Sequence, residues 1–180
     1  LLSQNKKRIF EEEKKEYTFR TLISLIKSLT KASKKFKNIN FELIVTDTNS
    51  SLGDINTIKG ILNQLNITNK FISINLEDFR NKIKQGYSEA KFSNMANFYH
   101  SLLTVKKIDG DIFYLVEDDY IHSINSITEM IFSYEKFSTI FGKELILLPS
   151  DYPYLYTNDN STKIYLGEKN HWRLVSESLV

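Results

Sequence analysis

The chain has 180 residues, a formal net charge of +2, 41% hydrophobic and 26% charged residues, the proportions of one soluble globular domain. It has no cysteine, which excludes disulfides and zinc–thiolate sites and suits a reducing compartment. No apolar run approaches the ~20 residues of a membrane span, and the opening LLSQNKKRIF lacks a signal-peptide core. The expected location is therefore cytoplasmic. The first residue is Leu rather than Met, so the chain reads as a single domain over 1–180, open to truncation at one or both ends.

Charge is spread unevenly. Residues 1–40 carry 11 of the 24 Lys/Arg and 4 of the 22 Asp/Glu, a balance of +7 against −5 for the remainder. Two readings fit: a solvated helix face, or peripheral attraction of a basic N-terminal helix to a membrane or another anionic surface. No recognition motif accompanies the basic residues, so nucleic acid is not an expected partner.

In chain order, Phe19, Leu22, Ile23, Ile26 and Leu29 fall on one face of a helix expected over Glu16 to Ala32. Phe41 to Thr46 (FELIVT) reads as a buried strand, ended by the polar turn cluster Asp47 to Ser51. A second helix is expected over Asp54 to Leu65, a second strand over Lys70 to Ile74, and a third helix over Ser93 to Val105. Ile112 to Val116 reads as a third strand. Ser126-Ile127-Thr128-Glu129 fits a capping box before a fourth helix. Leu145 to Leu148 and Lys163 to Leu166 read as a fourth and a fifth strand.

Alternating strands and helices predict an α/β fold, a three-layer α/β/α sandwich around a mostly parallel sheet. In such sheets ligands bind beyond the carboxyl ends of the strands. Polar clusters stand at those expected ends: Asp47 to Ser51, Glu117 to Asp119, and Ser150-Asp151.

The run IFYLVEDDY (Ile112 to Tyr120) drives five apolar residues into three carboxylates. Adjacent carboxylates repel, and some shift toward protonation unless a cation is near. Mg²⁺ or Mn²⁺ takes oxygen ligands and often combines one or two carboxylates with substrate phosphates. The alternative is a short acidic run facing water.

Two segments carry a family resemblance. Phe41 to Ser51 (FELIVTDTNSS) resembles the first nucleotide-binding segment of family 2 glycosyltransferases, a strand followed by Asp-Asp-x-Ser. Gly110 to Asp119 (GDIFYLVEDD) resembles their Gly-Asp-strand-Asp-x-Asp segment, and its Glu-Asp-Asp form is similar to that of N-acetylglucosaminyltransferases with the same GT-A fold. The resemblance covers roughly residues 20 to 175 and implies a GT-A, nucleotide-diphospho-sugar transferase-like sandwich. It implies that Asp47 contacts the nucleotide base, that Asp119 ligates the metal, and that Glu117 and Asp118 lie near the ribose and the metal's water shell. It also implies that Asn94, on the third helix, faces the nucleotide. The sequence departs from the family at Thr48, where the family has a second Asp. The family also has a strand ahead of the first helix, where only Arg8-Ile9-Phe10 offers a remnant.

Two later stretches complete the reading. Asp151, in LLPSDYPYLY, stands among aromatics that would raise its pKa. It is the candidate general base for an inverting sugar transfer, or else the head of an Asp-Tyr-Pro turn. In Glu168 to Arg173 (EKNHWR), His171 is a candidate metal ligand beside Asp119, Arg173 a candidate phosphate fork, and Trp172 a stacking platform or a packed core residue. His122 is expected to point away from the acidic run.

The function expected is transfer of a sugar from a nucleotide-diphosphate donor to a glycan, lipid or small-molecule hydroxyl, assisted by Mn²⁺ or Mg²⁺. Alternatives are a non-catalytic nucleotide-binding or scaffold domain, and a metal-dependent nucleotidyltransferase. The last is disfavoured, because six glycines form no Gly-rich phosphate loop.

Overall fold

A computed structural model describes residues 13–150 and 163–174. The helix α1 (Lys14–Lys35) buries Leu22, Leu25, Leu29 and Ala32, a face that overlaps the expected one at Leu22 and Leu29 but leaves Ile23 41% exposed. Lys34 and Lys35 in its last turn complement the negative end of the helix dipole. Strand β1 (Glu42–Asp47) follows, then α2 (Leu52–Leu62) and β2 (Thr68–Ser73). The two strands pair in parallel, in register from Glu42 opposite Thr68 to Asp47 opposite Ser73. A parallel pair cannot be joined by a tight turn, and α2 provides the crossover. Leu43 of β1, Ile58 and Leu62 of α2 and Ile127 of α4 (Ser126–Phe141) close over the apolar face of α1 as the main core.

A short 3₁₀ turn (Leu76–Phe79) leads to α3 (Glu89–Lys107). Ile74, Phe79, Phe92 and Ala96 form a second, smaller core there. Helix α4 stops at Gly142, whose φ of 61° is the left-handed conformation that glycine adopts without a Cβ penalty. The hairpin β3 (Ile164–Leu166) and β4 (His171–Arg173) is antiparallel, with Tyr165 opposite Trp172.

The expected three-layer sandwich does not form. Among the described residues there is one two-stranded parallel sheet and one two-stranded antiparallel sheet, not a mostly parallel central sheet, and the GT-A architecture is not reproduced. Ile112 to Val116 forms no strand, and its five side chains are 36–54% exposed. Leu145 to Leu148 also joins no ladder, and Ile146 is 81% exposed. The run Lys163 to Leu166 does contain a strand, but it folds back on β4 instead of extending a parallel sheet. The physical reason is that apolar, β-branched composition marks a segment as suited to a strand. The ladder itself needs a partner's N–H and C=O groups, and among the described residues none is in place for these two runs.

Candidate functional site

The carboxyl end of β1 is built by local polar bonds. Asp47 accepts from the Ser50 backbone N–H at 3.2 Å and from the Ser50 hydroxyl. Its carboxylate is thus folded into its own turn, the usual habit of an Asx residue at a chain reversal. Asn49 completes the turn at φ 68°, a conformation asparagine tolerates better than most residues. Ser51 then caps α2, accepting from the Asp54 N–H at 3.1 Å while its hydroxyl donates to the Asp54 carboxylate at 2.7 Å.

Helix α3 packs over this end. The Thr46 hydroxyl donates to Asn97 Oδ1, and Asn97 Nδ2 reaches the Thr46 carbonyl at 3.5 Å. Thr48 and Ser93, 3% and 1% exposed, share a hydroxyl–hydroxyl bond. Thr48 is therefore a buried tie to α3, and an aspartate at that position would bury a carboxylate against a serine. Asn94 lies on the flank of the same helix face, exposed.

The acidic triplet is held by α1. Asp118 pairs with Lys14 at 3.2 Å and accepts from the Thr18 hydroxyl at 3.0 Å, so it is fastened to the first turns of α1. The last turn of α1 leads into the start of β1. Lys15, whose pKa is raised chiefly by the hydrogen bond to Glu13, is also attracted by Asp54 at the start of α2. Glu117 and Asp119, on either side of the fastened Asp118, are exposed. Lys14 and Thr18 thus supply part of the partner that the three carboxylates require.

His171 and Arg173 are carried elsewhere. The hairpin turn is tied to the last turn of α1 by the Lys35–Glu168 ion pair. Thr18, which holds Asp118, is 17 residues earlier on α1. At 1.5 Å per residue this places the two attachments about 25 Å apart along the helix. The structure does not bring His171 to Asp119 or Arg173 to Asp47. No group of three or more His, Asp or Glu able to hold a metal occurs among the described residues. Asp151 lies outside the described residues.

What the EKNHWR stretch does is seen in the Glu129 carboxylate. Glu129 is 3% exposed. It accepts from Trp172 Nε1 at 3.0 Å, from the Glu168 N–H at 3.1 Å, from the Lys169 N–H at 2.8 Å and from the Ser133 hydroxyl at 3.1 Å. Burial pushes its pKa up, but the bonds from Trp172, Lys169, Ser133 and Asn170 outweigh it and hold the carboxyl below its ordinary value. Trp172 also sits edge-on to Phe137, with ring centroids 6.4 Å apart. The capping box expected at Ser126 is not formed. Asn125 precedes the helix without a side-chain cap bond, and Glu129 faces the hairpin.

His122 points away from the acidic run, as expected, into a buried and structural position. Its N–H donates to Ser24 Oγ at 3.0 Å and its Nε2 meets the Tyr114 hydroxyl at 2.9 Å. Burial lowers its pKa, opposed by the nearby Tyr120 backbone, and burial raises that of Tyr114. Comparison with family models, with curated proteins and with solved structures finds no match for this chain. No helix among the described residues is long and apolar enough to cross a membrane.

Proposed function

We propose that the chain is a nucleotide-sugar-dependent glycosyltransferase that receives its donor beyond the carboxyl ends of β1 and β2. The observations that support this best are the polar turn of Asp47 and Ser50 that ends β1 and the fastening of Asp118 to Lys14 and Thr18, on the helix whose Lys15 is attracted by Asp54 at the start of α2. Ligands favour that edge of parallel strands. Asp47, already turned toward Ser50, keeps acceptor capacity for a nucleobase, and Asn94 lies on the bordering helix. Asp118 acts as the anchor. Glu117 and Asp119 are the residues that would hold Mn²⁺ or Mg²⁺ jointly with the donor phosphates, a site type that needs only one or two protein carboxylates. When bound, the ion would neutralise the charge that develops on the departing nucleoside diphosphate. Asp151 is the proposed base that takes the acceptor hydroxyl proton, with inversion at the sugar carbon. His171 and Arg173 have no part in this proposal.

A non-catalytic nucleotide-binding module is the second reading. Thermal unfolding against a panel of nucleoside diphosphates, with and without Mn²⁺, separates the two. At a hundredfold excess over Kd, binding stabilises by about 2.7 kcal/mol, a rise in Tm of about 5–10 °C for a domain of this size. A rise that needs both components and disappears in Asp119→Ala supports the transferase. A rise without metal, with no sugar released or transferred, selects the module. No rise with any nucleotide refutes both.

A further inference from the structure

We propose that the outer face of α1, together with the segment beside it, is a docking surface for an anionic lipid bilayer. From Tyr17 to Phe41 the chain has six Lys/Arg and no Asp or Glu. Arg20, Lys27, Lys31 and Lys34 recur at helical spacing on the side of α1 opposite buried Leu22, Leu25 and Leu29, and all four are exposed. Among the described residues Arg20, Lys27 and Lys34 take part in no salt bridge. A merely solvated helix face usually interleaves both signs at i,i+4 spacing, because like charges stacked there repel. This face does not.

Charge alone would suit any polyanion. The isoleucines narrow the partner. Ile23 is 41% exposed between Arg20 and Lys27, and Ile121 and Ile124 are 67% and 48% exposed on the neighbouring segment. That segment is fixed against α1 by the bond from the His122 N–H to Ser24 and by Lys31 to Asn125, at 2.6 Å. Between them lies an open cleft of about 430 Å³ lined by Arg20, Ser24 and Lys27 as well as the isoleucines. Cations over protruding aliphatic side chains match a surface with phosphates outside and acyl chains beneath. The surface is independent of the nucleotide reading.

The test is sedimentation of the chain with vesicles of phosphatidylcholine, or of phosphatidylcholine and phosphatidylglycerol in equal parts. Binding to the anionic vesicles alone is expected, falling as salt rises. Arg20→Gln with Lys27→Gln should weaken it about 25-fold, roughly fivefold per cation. Ile23→Ser with Ile121→Ser should weaken it at least about fivefold, which a soluble polyanion partner would not require. All four positions are exposed, so native circular dichroism is expected. Should either pair unfold, Lys34→Gln alone carries the test, with about a fivefold loss. No binding to anionic vesicles, equal binding to neutral ones, or unchanged binding in folded variants overturns the proposal.

Discussion

Replacing Glu129 by alanine should detach the β3–β4 hairpin from α4. The variant removes the acceptor of three N–H donors, those of Glu168, Lys169 and the Trp172 ring, and of the Ser133 hydroxyl. A hydrogen bond to a charged group contributes about 1.5–3 kcal/mol net. The exposed hairpin edge lets some donors turn to water, so the bonds do not add in full. The working expectation is about 3–5 kcal/mol, the usual loss when one side of a buried charged network is deleted. For a domain of this size that lowers Tm by about 6–20 °C. Glu129→Gln keeps one acceptor oxygen and should cost less than half as much. Trp172 is the chain's only tryptophan, so its fluorescence reports on the hairpin directly. The assay is urea unfolding followed in parallel by tryptophan emission and far-ultraviolet circular dichroism. A carboxyl held below its ordinary pKa stabilises above the unfolded value, and that stabilisation is lost as pH falls through the folded value. The wild type should therefore lose stability in acid more steeply than Glu129→Gln. A loss under about 1 kcal/mol in Glu129→Ala, with unchanged emission, would refute the reasoning, since that is the scale of a single neutral hydrogen bond.

Three further outcomes follow. Gly167→Ala should cost about 1–3 kcal/mol, because a Cβ there would stand 2.1 Å from Glu129 Oε1 and 2.8 Å from Trp172 Nε1; a variant as stable as wild type in the same unfolding assay would count against the close approach. Lowering the pH below the ordinary histidine value of 6.5 should destabilise the packing of His122 on Ser24 and Tyr114, since burial depresses its pKa and protonation favours the unfolded chain. His122→Asn should flatten the pH dependence of Tm between neutrality and that range, and an unaltered slope would exclude His122 as its source. Asp118→Asn should cost only about 0.5–1.5 kcal/mol, since the Asp118 side chain is 42% exposed beside Lys14. Tm in low and high salt measures it, and a salt-insensitive loss would point to the Thr18 bond rather than the ion pair.

Periodicity made the helices legible. The apolar spacing from Phe19 to Leu29 located α1 and its buried Leu22 and Leu29 but not the outward turn of Ile23, and the pattern after Ser126 marked α4. FELIVT located β1 because a short apolar run ended in turn residues. The same rule failed at Ile112 to Val116, since an apolar run states what would suit burial and not what is there to bury it. At the site, Asp47 and the acidic triplet stood out because charge interrupts an apolar pattern. Thr48, Ser93 and Asn97 did not, because small polar residues are common in loops and on helices and only their burial singles them out. Glu129 was visible, but Ser126-x-x-Glu129 pointed it to its own helix start. Its real partners are about 40 residues away, and no local pattern encodes such a distance.

Helix α1 is fastened by groups made long after it. Thr18 waits for Asp118, Ser28 for the Ile127 N–H and Lys35 for Glu168, separations of 100, 99 and 133 residues. At ribosomal rates of about 5–20 residues per second, Lys35 precedes Glu168 by roughly 7–27 s. Until α4 is made the nascent chain has only the β1–α2–β2 unit to shelter the apolar face of this helix, and docking onto α4 comes late. Such delayed closure slows folding, through the entropy of closing long loops, and makes the half-synthesised chain a natural client for a chaperone.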